Sequence, residues 1–241
     1  MTATQKIPGL INWIGYLAIT LLVTIPIAIL TVRSGAWQQG LLLYALSCLG
    51  SVLILLLAIV VMFLPKLTSW RADTAKRALF AIPGTLLLLS LLGGSGDYPP
   101  IHDITTDSSD PPEFTSAPML RGDGSNTLDL NPETLEAQLA AYPDLATLVS
   151  AEPIEKAFLR ATETARELGW EIYHEDLNTG VIEAVDTTAV MGFKDDIVIR
   201  LRTNADGTLL DLRSVSRVGV SDLGANAARI QHFLDTYQQQ D

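Results

Sequence analysis

The sequence predicts an α+β protein in which N-terminal transmembrane helices precede a soluble domain, a four-stranded antiparallel meander covered on one face by two helices. Three observations predict it. Residues 11–32 and 41–64 each exceed 20 residues without an ionisable side chain, enough at about 1.5 Å per residue to cross a hydrocarbon core of about 30 Å. Charge divides the chain: through residue 94 six bases face one acid, Asp73, whereas from residue 95 onward ten bases face 26 acids. Beyond residue 150 the apolar spacing passes from helical to alternating and back to helical.

The two long apolar stretches are expected spans. Residues 78–92 make a third that is short and carries Pro83 and Gly84; alone it reaches about 22 Å and must draw on its flanks. The membrane domain is therefore placed at 1–94, with spans 11–32, 41–64 and 78–92. Lys66, Arg71, Lys76 and Arg77 separate the second span from the third, whereas only Arg33 separates the first from the second. Bases collect on the cytoplasmic side, so everything after Gly94 is expected across the membrane: a multi-pass protein of the bacterial inner membrane with a periplasmic C-terminal domain, the alternative being a re-entrant third segment that leaves this domain in the cytoplasm. No ionisable side chain interrupts the apolar cores, which argues against a pump or transporter. Ser47 and Ser51 form a small-residue pair suited to close helix packing. Cys48 is the only cysteine, so neither an intrachain disulfide nor a cysteine metal cluster is expected.

Residues 95–150 read as a tether rich in Pro, Gly and Asp, with one short helix from Asn131-Pro132 to Tyr142-Pro143. His102, Asp103 and Asp107 within it are too few ligands on an extended chain to predict a metal site. Residues 151–241 form the soluble α+β domain. A helix starts at Pro153, with Ile154, Ala157, Phe158, Ala161, Ala165 and Leu168 on one stripe and Gly169 as its stop. Alternation then sets Trp170, Ile172 and His174 on one face of a strand, and Asn178-Thr179-Gly180 turns into a second strand over 181–188. Ile197, Ile199 and Leu201 alternate with Val198, Arg200 and Arg202. A two-residue turn at Asp206-Gly207 leads back through Leu210, Leu212 and Ser214, alternating with Asp211, Arg213 and Arg217. That turn sets Leu201 against Leu212, Arg202 against Asp211 and Arg200 against Arg213. The last helix begins near Ser221-Asp222 and carries Leu223, Ala227, Ile230, Leu234 and Tyr237 on one face.

The same alternation collects Arg200, Arg202, Arg213 and Arg217 on the sheet face away from the helices. Guanidinium groups suit carboxylate or phosphate, and with Asp222 and Asn226 at the start of the last helix these six residues form the candidate ligand-binding set. Glu171, Glu175, Glu183 and Asp211, or the acidic tether itself, are the internal alternatives to an external anion. Asp195-Asp196 falls where a connection between strands is expected. No phosphate loop, nucleophile elbow, two-histidine zinc helix or dinucleotide fingerprint is present in the sequence, so no catalytic residue, cofactor or metal is assigned. The acidic domain repels phosphate backbones and excludes general nucleic-acid binding.

Gly192-Phe193-Lys194-Asp195-Asp196 and the longer stretch from Arg213 through Ser214, Ser216, Arg217, Ser221 and Asp222 to Asn226 resemble a bacterial and plastid family catalogued as domain of unknown function 1499. The resemblance covers about Pro99 to Phe233. Many members of that family carry a cysteine near the start of the domain, where this chain has Pro100-Ile101-His102-Asp103. The resemblance implies an envelope or organelle location and no established activity. Two functions are expected on these grounds. The first is a membrane-anchored binding or envelope-assembly module that recognises an anionic small molecule or an envelope protein through the arginine face, with the lipid bilayer as its other partner. The second is a membrane-tethered hydrolase using Asp195, Asp196 or Asp222 as acids and Arg213 and Arg217 to hold substrate.

Overall fold

The computed structural model describes residues 6–93, 96, 98–205 and 207–239, and the chain forms two compact units, Met1–Ser95 and Gly96–Asp241. In the first unit, α1 (Gly9–Arg33) and α2 (Trp37–Phe63) follow the two long apolar stretches. The third helical segment runs from Pro65 to Gly93, longer than the stretch expected over 78–92. It links a 3-10 turn at Pro65–Trp70, α3 (Arg71–Ala78), a second 3-10 turn at Leu79–Ala81 and α4 (Ile82–Gly93). Pro83 does not break the segment because it stands in the first turn of α4, where a proline N–H is not needed. All three segments are long and apolar enough to cross a membrane.

Ile11, Ile14, Ala18, Ile54, Ala58, Val61, Ala78 and Ala81 form the core of this unit. Small residues let the backbones approach. Ser47 and Ser51 are buried and return their hydroxyls to the carbonyls of Leu43 and Ser47. Gly84 lies so close to Ser51 that a Cβ there would overlap its side chain.

In the second unit the four expected strands are β3 (Glu171–Asp176), β4 (Val181–Thr187), β5 (Lys194–Asn204) and β6 (Gly207–Ser216), numbered after two further strands, β1 (Asp103–Thr105) and β2 (Leu148–Ser150). The sheet order is β1-β6-β5-β4-β3, with β2 also paired to β6 and every ladder antiparallel. Two short helices, α5 (Ala117–Leu120) and α6 (Pro132–Ala141), lie between β1 and β2. The long helices α7 (Ile154–Glu167) and α8 (Ala225–Gln239) cover one face. Ile182, Ala184, Ile197, Ile199, Leu201, Leu210 and Leu212 meet Ala157, Phe158, Ala161, Ile230, Phe233 and Leu234 there, and Trp170 stacks on Phe233 with ring centroids 5.3 Å apart.

Three expectations are corrected. Residues 95–150 are no free tether: they supply β1 and β2 and lay the segment 106–130 against the second sheet face, so the sheet has six strands and the polar face is also covered. The β5–β6 register is shifted. Asn204 pairs with Gly207, Leu201 faces Leu210, Arg202 faces Leu209 and Arg200 faces Asp211. The connection keeps its even length, so each side chain stays on its expected face; Asp206 of the expected turn lies outside the described residues. Asp195 and Asp196 belong to β5 and not to a connection.

Candidate functional site: the arginine face and its loop

Each of the four arginines ends in an ion pair with an acid of this same chain. Arg213 is 4% exposed; its Nε donates to Asp103 Oδ1 at 2.9 Å and its Nη2 to Asp103 Oδ2 at 2.7 Å, with the Leu128 carbonyl also at 2.7 Å from Nη2. This two-point pairing forms because β1 runs beside β6, with Thr105 opposite Arg213 and Asp103 two residues along. Arg200 and Arg202 share Asp107, Asp110 and the buried Asp211, with the Arg202 Nη2–Asp211 Oδ2 contact at 2.8 Å. Burial pushes the Asp107 carboxyl up, but the Asp110 and Ser109 amides and the Arg202 guanidinium outweigh it and hold it below the usual range.

Asp196, fully buried, is gripped from two sides. Arg217 reaches both its oxygens at 2.9 and 2.7 Å, and Arg121 Nη1 reaches Oδ2 at 2.6 Å. A bulge at Tyr173 interrupts the β3–β4 ladder, and the Tyr173 hydroxyl donates to Asp196 Oδ1 at 3.4 Å. Burial, reinforced by the Asp196 and Glu183 carboxylates, drives that phenol far above its ordinary pKa. The hydrogen bond to Asp196 raises Arg217, whereas burial lowers Arg121. Glu183, also buried, accepts the backbone N–H groups of Thr115, Ser116 and Ala117 and the Thr115 hydroxyl, fastening the covering segment at the entry to α5. The layer thus closes on itself, five guanidiniums against six carboxylates, under the rule that buried charge must be paired.

Asp195 points to the opposite face from Asp196, as neighbours on a strand must. There Arg229 on α8 binds Asp195 at 2.5 Å and Asp186 at 2.8 Å. The two adjacent aspartates therefore build no shared carboxylate site. Among the described residues no cluster of three or more His, Cys, Asp or Glu side chains is able to hold a metal ion.

The stretch from Arg213 to Asn226 spends its polar groups on one loop. Buried Asn226 donates to the His102 carbonyl at 3.1 Å and to Ser216 Oγ at 2.9 Å, and accepts from Ser214 Oγ and Arg229 Nη1, both at 2.6 Å. Asp222 accepts the amides of Gly224 and Asn226 at 2.8 and 3.0 Å, capping the entry to α8, while its own amide donates to the Ile101 carbonyl at 3.0 Å. Asn126 donates to the carbonyls of Ser216 and Gly219. What the loop leaves facing solvent is apolar: Val220 is 75% and Leu223 61% exposed. Leu223 stands at φ +53°, a left-handed conformation uncommon for a bulky residue.

The six candidate residues thus fall into two groups. Arg200, Arg202, Arg213 and Arg217 share one buried layer, and Asp222 and Asn226 brace the loop beyond it. Sequence reasoning missed Arg121 and Arg229, which complete the pairing of Asp196 and Asp195. Arg121 sits in a Gly-flanked turn and Arg229 on a helix among small residues, where alternation carries no information about reach. Leu223, expected on the buried face of the last helix, is corrected: it precedes α8 at φ +53°, outside helical geometry, and its side chain is exposed. Val220, which sequence reasoning missed, carries only the signal of an apolar residue among turn-forming ones.

A family model described as Protein of unknown function (DUF1499) matches residues 103–236, which takes in β1, the covering segment, the whole sheet and most of α8. No curated protein matches the chain.

Proposed function

The chain belongs to the DUF1499 family, and from that premise and its geometry we propose that it is a membrane-anchored binding module of the bacterial cell envelope, whose recognition surface is the loop 217–224. The observation that carries this reading is how the loop divides its side chains. Arg217, Asp222 and Asn226 are turned inward onto partners of the same chain, and Val220 and Leu223 are turned outward. The anionic partner suited to the arginine face is the chain's own segment carrying Asp103, Asp107 and Asp110. A hydrolase built on Asp195, Asp196 or Asp222 receives less support, because Arg229, the Arg121–Arg217 pair and the amides at the start of α8 already occupy those carboxylates. A general acid or base needs hydrogen-bond reach to substrate.

The envelope location rests on Lys66, Arg71, Lys76 and Arg77, which precede the apolar part of the third helical segment and belong on the cytoplasmic side. Three crossings then carry the C-terminal unit to the periplasm of the inner membrane. Alkaline phosphatase fused after Asp241 is expected to be active; an inactive fusion, with a bright green fluorescent protein at the same position, overturns that topology. The module reading is tested with a photo-crosslinking amino acid at Val220 in cells. A discrete adduct there, absent from a control at Leu177, supports it. Turnover of phosphate or carboxylic esters by the purified chain that disappears in Asp195→Asn or Asp222→Asn overturns it.

A further inference from the structure

Resting on that reading, we propose that the occupant of the loop is the membrane surface: Val220 and Leu223, with Tyr98 beside them, enter the interfacial layer of the lipid bilayer. The first argument is exposure without an alternative. The loop cannot fold its apolar side chains inward, because its backbone is tied to the 99–102 segment: the Asp222 amide donates to Ile101, Ser221 Oγ to the Pro99 carbonyl, and the Val220 carbonyl lies 3.3 Å from His102 Nδ1. At φ +53° glycine or asparagine would be the usual occupant, yet this position displays a leucine, 61% exposed. A shape that exposes leucine at a conformational cost is explained if the side chain is buried against something outside the domain.

The second argument is reach. The Tyr98 ring packs over Gly224, where a Cβ would stand 2.6 Å from Tyr98 Cε1. Tyr98 lies five positions after Gly93, the end of the third membrane-compatible helix, and five extended steps span at most about 18 Å. The headgroup region adds roughly 6 Å to each side of the hydrocarbon core, so a link of this length allows the loop to reach the bilayer surface. Tyrosine, with an apolar ring and a polar hydroxyl, is enriched at that depth, and Tyr98 is 44% exposed.

The third argument is chemistry. Asp222, the only acid in the loop, has both carboxylate oxygens bonded to amides at the start of α8, and the Ser221 hydroxyl is engaged with backbone. Contact with lipid therefore buries apolar side chains without stranding a free charge. The remainder of the domain is strongly acidic and gains nothing from anionic headgroups, so the contact is apolar and insensitive to salt.

The test uses the full chain at one copy per nanodisc of phosphatidylcholine, with Cys48→Ala and a bimane label on Val220→Cys, Leu223→Cys or, as control, Leu177→Cys. Trp170 emission, with Trp13, Trp37 and Trp70 changed to phenylalanine, verifies the fold of each. Lipids brominated near the headgroup end of their acyl chains are expected to quench bimane at 220 and 223 at least about twofold more than at 177, equally in low and in 1 M salt. Iodide is expected to quench in the opposite order. Two results overturn the proposal: quenching at 220 and 223 that matches the Leu177 control for both quenchers, or shielding from iodide that appears only when a disc holds two copies, which assigns the loop to a second chain. Either leaves the binding-module reading standing, since that reading falls only to the ester-turnover result.

Discussion

Replacing Asp196 with asparagine separates a structural carboxylate from a catalytic one. The substitution keeps the side-chain shape and removes the negative charge that lies between Arg121 at 2.6 Å and Arg217 at 2.7 Å. Asp196 is fully buried and Arg121 nearly so, leaving two guanidiniums that face each other with no anion between them and little water to screen them. Breaking a buried pair by removing one partner costs about 3–5 kcal/mol. For a unit of this size, roughly 3 °C per kcal/mol converts that loss into a fall of about 9–15 °C in Tm. Trp170 is the only tryptophan of the second unit and stacks on Phe233. Its emission, followed during heating of the nanodisc-embedded chain with Trp13, Trp37 and Trp70 changed to phenylalanine, therefore reports on this unit. Adding Arg217→Gln to the variant is expected to cost less than the two single changes added together, because each removes the other's unpaired charge. A catalytic carboxylate behaves in the opposite way, since functional sites are commonly held at the expense of stability. A Tm unchanged within about 2 °C, or raised, would refute the argument.

Acid is expected to loosen the covering segment at Asp107. Its folded pKa is depressed, so its contribution is complete above the ordinary aspartate value of about 3.9 and is lost as pH falls through the lower folded value; the amide resonances of Ser109 and Asp110, which donate to Asp107 Oδ1, should move only below pH 4. Gly180→Ala should destabilise the second unit by about 1–3 kcal/mol, because Gly180 stands at φ +69° and a Cβ would overlap the Leu201 carbonyl oxygen. Gly169→Ala, at φ +80° with open space around it, should cost nearer 1 kcal/mol, and equal losses in chemical denaturation would discount the overlap. Gly84→Val should weaken the first unit by about 1–3 kcal/mol through the collision with Ser51; a detergent-unfolding midpoint equal to that of the unaltered chain would show that α2 and α4 do not depend on this contact.

Which features were legible follows from how local their causes are. The two long spans, α7 and α8 each declare themselves through a pattern set by burial on one side, and Gly169 and Gly180 stand at positive φ where the sequence places its stops and turns. The cover on the second sheet face was not legible. A strand whose polar side faces water and one whose polar side faces a paired, polar segment alternate identically, and Asp196, Val198, Arg200 and Arg202 conform to either. The third span was read short because Arg71, Asp73, Lys76 and Arg77 end the uncharged run at residue 78, whereas a helix is not interrupted by charge and this one continues through them from Pro65.

The register carries the sharpest lesson about the arginines. A slip of two residues between β5 and β6 leaves every side chain on its face, so alternation cannot distinguish Arg200 opposite Arg213 from Arg200 opposite Asp211. Cross-strand charge can. Like charges directly opposed are destabilising and opposite charges favourable by roughly 0.2–1 kcal/mol per pair, which selects the register that is observed, with Asp211 facing Arg200 and Val198 facing Arg213. In that register the four arginines do not form a surplus of positive charge awaiting an anion. Arg213 is left to find its carboxylate outside the hairpin, and Asp103 on β1 is positioned to supply it. Strand pairing on the edge of β6 and ion pairing across the face are therefore two consequences of one placement: the residues just beyond the membrane segment must lie against the sheet for Arg213 to be buried at all. The same placement draws Pro99 and Ile101 against the loop after β6, so the charged layer that gives the domain its closed face also fixes which apolar side chains remain for an outside partner.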